Sequence, residues 1–198
     1  MPKPGPRFTP TPPPDADCWQ VQSTSTKDLW RDYAAGVLST WLDLRTTTRT
    51  GQDLFSNYAK ILSALAGTAT TPATLPPAGS WQERLIFATA YVAYTTPSIL
   101  SAIARTPTAD TDFLHFITKP TADPADFNLT EVPFITFETV GQGAAPEDPS
   151  KDLGAAYETV NGSLTGHDGE FILGFCFQVN GAQARFDFSY LVEVQLPP

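Results

Sequence analysis

The sequence has few of the residues from which catalytic and metal sites are usually built. Its two cysteines, Cys18 and Cys176, are far apart in the chain, and its two histidines are His115 and His167. No spacing of Cys and His fits a zinc site, and no glycine-rich phosphate loop is present. We therefore expect no catalytic, cofactor-binding or metal-binding residues.

Cys176 lies inside an apolar run, where a buried and inert thiol is the simplest interpretation. A triad of Cys176, His167 and Asp168 can be written down, but three residues so close in sequence rarely converge in space. His115 is interpreted as a strand residue, and His167 as part of a turn. We expect that the chain is not an enzyme, and an enzyme that uses Cys176 is kept as an alternative.

Long hydrophobic runs are also absent. No apolar stretch approaches the roughly 20 residues that cross a bilayer, and residues 1–14, MPKPGPRFTPTPPP, lack the apolar segment of a signal peptide. We expect a soluble chain that is not secreted and has no membrane partner. Its 198 residues suit one domain with a sizeable core.

Charged residues make up only 17% of the chain, and their signs are unevenly distributed. Residues 1–105 hold nine Lys and Arg against seven Asp and Glu, whereas residues 106–198 hold three against fourteen. The second half would repel a polyanion. The plausible phosphate contacts are two basic pairs, Lys3 with Arg7 and Arg45 with Arg49, although such arginines often only solvate a loop. So few cations predict weak RNA binding that salt weakens further.

Four aspartates are the one candidate for a hard-cation site: Asp123, Asp126, Asp148 and Asp152. Clustered carboxylates and carbonyls are what Ca²⁺ prefers, so these side chains could bind it at a subunit contact. Solvated loop acids are the simpler interpretation, and we expect no other cofactor.

The strongest local pattern lies between Glu170 and Leu196. Two apolar runs flank Asn180 and Gly181, a pair typical of tight hairpin turns. The first run is apolar on both faces, which predicts burial on both sides. The second alternates apolar and polar residues with Leu191 as the one exception, which predicts a strand with one buried face.

Other segments have weaker patterns. Residues 1–17 are a proline-rich arm expected to be extended and unpacked unless a partner holds it. Apolar residues at intervals of three and four predict helices over 27–44 and 52–66, with Gly67 as a C-terminal cap. Further strands are predicted at 19–24, 85–94, 113–118, 134–140 and 157–164, and residues 141–152 are predicted to be a surface loop.

Two segments resemble the jelly-roll coat proteins of small plus-strand RNA viruses. The ending GEFILGFCFQVNGAQARFDFSYLVEVQLPP is similar to their last two strands, in which an aromatic-rich strand and a Gly-containing turn precede an aromatic-x-Tyr-x-Val-x-Leu strand. The segment SWQERLIFATAYVAYTTPS resembles their Leu-x-Phe-x-x-x-Tyr-Val strand and the Thr/Pro/Ser turn after it. Sobemovirus-like and barnavirus-like coats are the nearest comparison.

This resemblance implies a mainly β fold, with one jelly-roll β-sandwich of about eight antiparallel strands over residues 18–198 and two helices in its N-terminal half. It also implies a coat protein that assembles with copies of itself into a shell around viral RNA. The chain would be found in virions, and in host cytoplasm before assembly. Three tryptophans are candidate interface anchors or, equally, members of the monomer core: Trp19, Trp30 and Trp41.

Three other functional classes remain open from the sequence. A lectin-like β-sandwich binding module would share the closing hairpin and would act as a monomer. A helical filament coat subunit would use its helices for assembly contacts. An uncharacterised enzyme would depend on Cys176.

Overall fold

The computed structural model describes residues 8–9, 18–36, 50–67, 70–72, 85–93, 96–103, 110–129, 131–144, 147–180 and 183–195. These residues form three α-helices, which are α1 (Thr24–Gly36), α2 (Gly51–Ala66) and α3 (Gly154–Asn161), and a single 3₁₀ turn at Pro124–Asp126. They also form eight strands: β1 (Phe8–Thr9), β2 (Leu85–Ala93), β3 (Thr96–Ile103), β4 (Thr111–Ile117), β5 (Val132–Val140), β6 (Glu147–Asp152), β7 (Phe171–Asn180) and β8 (Gln183–Glu193).

The strands divide into two sheets. A five-stranded sheet has the order β1-β5-β4-β7-β8, and a three-stranded sheet has the order β2-β3-β6. Every pairing is antiparallel except that of β1 with β5. Consecutive strands pair three times, as β2 with β3, β4 with β5 and β7 with β8. The expected β-rich fold with two helices in the N-terminal half is therefore confirmed, and α3 is an additional helix.

The predicted hairpin is formed by β7 and β8, which pair from Phe171↔Glu193 to Asn180↔Gln183. Residues 172–179 are all buried, as expected for a run that is apolar on both faces. In the described part of β8, Tyr190 is buried, whereas Leu191 is 46% exposed. The residue that breaks the sequence alternation therefore faces solvent.

Helices cover both faces of the five-stranded sheet, which explains why β7 is apolar on both sides. On one face, Trp30 of α1 and Phe55 of α2 belong to the same buried cluster as Phe116 and Phe175 of the sheet. On the other face, Tyr157 of α3 belongs to a cluster that is completed by Leu153, Leu164, Ile117, Ile172 and Tyr190. Burial of apolar side chains is the dominant favourable contribution to folding, and these two clusters supply it here.

Helix α2 confirms the prediction for residues 52–66 to within one residue. Its first turn is closed by a capping box, in which Asp53 N donates to Thr50 Oγ1 (3.1 Å) and Thr50 N donates to Asp53 Oδ2 (3.0 Å). Gly67 ends the helix in the left-handed conformation, with φ at 67°. Helix α1 begins three residues before the predicted start because Ser23 Oγ accepts from Thr26 N (3.1 Å). Residues 37–44 of that prediction lie outside the described residues.

Two predicted strands are wrong. Residues 18–22 form a turn, with Gln22 N donating to Trp19 O (3.2 Å), and residue 24 already belongs to α1. The predicted strand at 157–164 lies largely in α3, where Tyr157 N donates to Leu153 O (2.8 Å). Leu153, Tyr157 and Leu164 are buried at spacings of four and seven residues, which is helical periodicity.

Three further elements differ from the sequence expectations. The predicted loop at 141–152 contains β6, which pairs with β3. Strand β3 itself follows the predicted β2 directly, where a turn was expected. The N-terminal arm was expected to be unpacked, yet Phe8 and Thr9 form a strand on β5. For β6 and β1, strand pairing with a distant segment overrides the local sequence preference.

Candidate functional site

The candidate RNA contacts Lys3, Arg7, Arg45 and Arg49 lie outside the residues that the structure describes, as does the side chain of Trp41. Their roles in binding or assembly therefore remain predictions.

The sequence left Trp19 and Trp30 open as interface anchors or as members of the monomer core, and both belong to the core. Their exposed fractions are 6% and 1%. Both indole rings pack against Phe55, each with ring centroids 5.3 Å apart, and Trp30 also contacts Tyr58. Sequence periodicity shows that one face of α1 is apolar, and it does not show whether that face meets its own chain or another copy.

Two of the aspartates proposed for Ca²⁺, Asp123 and Asp152, have structural partners. Asp123 Oδ1 accepts from Ala125 N and Asp152 Oδ1 accepts from Gly154 N, both at 2.8 Å. These bonds hold the starts of the 3₁₀ turn and of α3. Within the described part of the chain, no group of three or more His, Cys, Asp and Glu side chains is arranged to hold a metal ion. The side chain of Asp148 is outside this description.

The structure does not bring Cys176, His167 and Asp168 together. His167 lies in the turn before β7, where its Nδ1 is 2.8 Å from Glu170 Oε2. Cys176 is six residues beyond Glu170 in an extended strand, a separation of about 20 Å at roughly 3.3 Å per residue. Cys18 and Cys176 are both buried and are not joined in a disulfide, and burial is what the sequence suggested for Cys176.

A different polar group surrounds Cys176 on the sheet face opposite α1 and α2. His115 of β4 is its direct cross-strand neighbour, and His115 Nε2 is 3.4 Å from Glu138 Oε1 on β5. Burial, together with the nearby Cys176 and Glu138, raises the pKa of Tyr190 well above its ordinary value. The register of the strands alone brings Cys176, His115 and Glu138 together in a polar row. The mid-strand positions of His115 and Cys176 were the only sequence signal for this row.

The polar row contains a thiol, an imidazole and a carboxylate, which are the groups found in a nucleophilic site. His115 and Cys176 both have no exposed surface, however. A substrate therefore has no route to either side chain in this conformation, and the row is a buried part of the core.

A surface cavity of about 450 Å³ lies at one end of the five-stranded sheet. It is lined by the segment after β4, the segment around the 3₁₀ turn, and the end of α3, with side chains that include Lys119, Asp126, Asn128, Glu131, Val160 and Asn161. Asn161 Nδ2 donates to Ile117 O (3.0 Å), which fixes the orientation of the amide. The cavity offers charged and amide groups beside apolar ones, which is the composition of a site for a small polar ligand.

The docked N-terminal strand is the second feature of functional interest. The Phe8 side chain is completely buried, and its ring lies 4.9 Å from Phe116, 5.4 Å from Phe175 and 4.9 Å from Phe177, centroid to centroid. Phe8 pairs with Val132 and Thr9 pairs with Pro133. A two-residue strand in a proline-rich segment is thus anchored by one aromatic side chain in the main core.

Several large apolar side chains are exposed on the described surface. They include Leu191 on β8, Phe137 on β5 and Val160 on α3, at 46%, 38% and 43% exposure. The Lys151 ammonium lies 5.9 Å from the centroid of the Phe137 ring, a cation–π distance. Isolated exposed apolar residues are common on monomers, so these positions mark contact surfaces only if other evidence points to assembly.

Comparisons of the chain with known proteins found no match. No protein-family model, no curated protein and no solved structure matches the chain. Among the described residues, none of the helices is long and apolar enough to cross a membrane.

Proposed function

We propose that this chain is a coat subunit that assembles with copies of itself into a shell enclosing RNA. The observation that carries the proposal is the attachment of the proline-rich arm to the sheet through Phe8 and Thr9. Lys3 and Arg7 precede Phe8 by five residues and one residue in the sequence. Cations attached to a shell domain would let a subunit hold a polyanion on one side of a protein wall, although Asp15 and Asp17 bring the formal charge of residues 1–17 to zero.

The charge distribution supports the same proposal. The acidic second half of the chain contains β4 to β8, and the cations proposed to contact RNA all lie in the first half. Electrostatic repulsion would turn the acidic part of the domain away from RNA, outward or toward subunit contacts. The exposed Phe137 and Leu191 provide apolar area on that part of the surface.

The more specific part of the proposal is that the domain is a jelly roll. In that interpretation the two sheets are the two layers of one shell domain. A jelly roll is built from antiparallel strands, and the parallel pairing of β1 with β5 departs from that pattern. The proposal therefore depends on assembly and RNA enclosure, not on one strand topology.

Electron microscopy and sedimentation of the purified full-length chain, across a range of salt concentration and pH, test the proposal directly. We expect closed particles that contain nucleic acid, with a content that falls in the variant Lys3→Gln/Arg7→Gln. The matched control Lys27→Gln changes a cation of α1 whose ammonium is bonded to Gln20 O, and it should leave nucleic-acid content unchanged. A chain that stays monomeric under all these conditions would contradict the proposal.

The cavity beside Asn161 favours a second candidate, a monomeric binding module for small polar ligands such as sugars. Glycan-array binding by the monomer, weakened by Glu131→Gln, would support this function. No array signal from a well-folded monomer would count against it.

A further inference from the structure

We propose that the cavity of about 450 Å³ at the end of the five-stranded sheet binds a small zwitterion that carries an ammonium group, a carboxylate group and an apolar part. Free amino acids and short peptides belong to this class. The inference goes beyond the proposed coat function and does not depend on assembly. It uses the cavity of the second candidate function and names a different ligand class from the sugars considered there.

The first argument is the charge of the cavity wall. The lining includes one cation, Lys119, and two carboxylates, Asp126 and Glu131. All three side chains are exposed. Among the described residues, none of these three side chains has a hydrogen-bond or ion-pair partner, so the chain itself does not neutralise their charges. A ligand that carries both signs of charge supplies a partner for each sign.

The separation of these charges is part of the same argument. The ammonium of Lys119 shares a cavity with two carboxylates, yet neither carboxylate lies within ion-pairing distance of it. A molecule with its own charges at two ends can bridge such a gap. Because two carboxylates face one ammonium, the ammonium of the ligand should contribute more to binding than its carboxylate.

The second argument is the apolar part of the wall. Val160, in the last turn of α3, is 43% exposed and lines the cavity together with Pro120 and Pro133. Covering this surface with the hydrocarbon part of a ligand would remove it from water, which favours binding. The cavity therefore fits a zwitterion with an apolar side chain better than a purely polar ion.

The third argument is that hydrogen bonds fix the cavity wall before any ligand binds. Asn161 Nδ2 donates to Ile117 O (3.0 Å), and the Tyr157 hydroxyl donates to Thr118 O (3.1 Å). Both bonds tie α3 to the end of β4, so the two elements that carry Val160 and Lys119 are held together. A wall that is already ordered loses little conformational entropy when a ligand binds.

Calorimetric titration of the full-length chain with leucine and with leucyl-glycine tests the inference. The two probes carry the same apolar side chain and differ in the distance between their charged ends. We expect saturable binding of at least one of them. The amide of that probe lacks the carboxylate, and its N-acetyl form lacks the ammonium. Each should bind about threefold more weakly or worse, the effect of losing one solvated ion pair, and the N-acetyl form should be the weaker of the two.

Substitutions in the cavity identify the protein group that each end of the probe meets. Lys119→Gln should weaken binding of the zwitterion about threefold and leave binding of its amide unchanged. Glu131→Gln should weaken binding of the zwitterion by a similar factor and leave binding of its N-acetyl form unchanged. The matched control Asp32→Asn removes an exposed carboxylate of α1 that does not line the cavity, and it should change none of these affinities.

The inference is overturned if neither zwitterion binds, or if the amide and N-acetyl forms bind as tightly as the zwitterion. The modified probes are titrated into the unsubstituted chain, so this test holds even where a substitution impairs folding. Glucose is the neutral comparison. Binding of glucose without binding of either zwitterion would overturn the inference and leave the second candidate function standing. Sedimentation of the same samples decides the coat function separately, because it measures particle formation and not ligand binding.

Discussion

Gly174 and Tyr190 are paired across β7 and β8, and the phenol ring of Tyr190 occupies the space where a side chain on residue 174 would be. A Cβ on residue 174 would overlap Cζ, Cε2 and the hydroxyl oxygen of that ring. Tyr190 is itself buried, so its ring has little room to move aside. The glycine is required by this close approach, and a positive φ is not the reason, since Gly174 does not have one.

Gly174→Ala should therefore lower the free energy of unfolding by about 1–3 kcal/mol, the usual cost of overpacking a core. Chemical denaturation measures the change. Gly141→Ala is the matched control, because its nearest neighbour would be Asp110 Oδ1 at 3.9 Å, an ordinary contact. In the double variant Gly174→Ala/Tyr190→Ala the alanine at 174 should cost much less, and strict additivity would contradict the steric explanation.

Phe8→Ala should destabilise the chain by about 3–5 kcal/mol, as for other buried aromatic side chains, because it empties a site between three rings. Thermal or denaturant unfolding provides the measurement. Val21→Ala removes an apolar side chain that is 78% exposed and should change stability by less than about 0.5 kcal/mol. Equal effects from both substitutions would mean that Phe8 contributes no buried contact.

Thr50→Ala should lower stability by about 1 kcal/mol, because Asp53 N loses its acceptor at the start of α2. Thr50→Ser keeps a hydroxyl at that position and should be close to the unsubstituted chain. Denaturant unfolding of the two variants separates the capping bond from side-chain size. An equal loss in both would show that the capping bond is not the cause.

Tyr190 should make the fold sensitive to alkali. Burial is the main reason that its pKa is raised, and Cys176, Glu138 and Tyr157 add to the effect. The ordinary tyrosine pKa is 10.0, so above that pH the unfolded chain releases this proton while the folded chain retains it. The stabilisation is therefore complete below pH 10.0 and is lost as pH rises toward the folded-state pKa.

Unfolding free energies measured between about pH 9 and 11 should fall with pH, and less steeply in Tyr190→Phe, which has no phenol proton to release. Tyrosine absorbance near 295 nm, followed in the same samples, should show late-titrating phenols that include Tyr190 and Tyr157, since burial raises the pKa of Tyr157 as well. A slope that is identical in Tyr190→Phe would contradict this assignment.

Local sequence patterns predicted the elements that depend on neighbouring residues. The Asn180-Gly181 signal and the doubly apolar run predicted the β7–β8 hairpin, and the capping residues around α2 predicted that helix. The predictions failed where distant pairing decides the outcome. Strand β6 is rich in charge and contains Pro149, so its conformation comes from its partner β3 and not from its own propensity.

At the candidate sites, too, local sequence predicted some features and distant strand pairing decided the others. The sequence identified Cys176 as a buried thiol, because its neighbours in the run are apolar. It placed His167 and Asp168 beside that thiol only by nearness in the chain. Register between β4 and β7 places His115 there, since antiparallel pairing joins residues 61 positions apart.

By itself, the amino-acid sequence determined that this chain folds around an aromatic, doubly buried hairpin and carries all of its negative charge excess in the second half. Those properties follow from residue types and their spacing over about ten residues. Tertiary structure alone decided that α1 and α2 cover one sheet face, that Trp19 and Trp30 are core residues, and that Phe8 anchors the arm. An apolar pattern specifies that a surface is buried, whereas only the packed chain specifies which surface buries it.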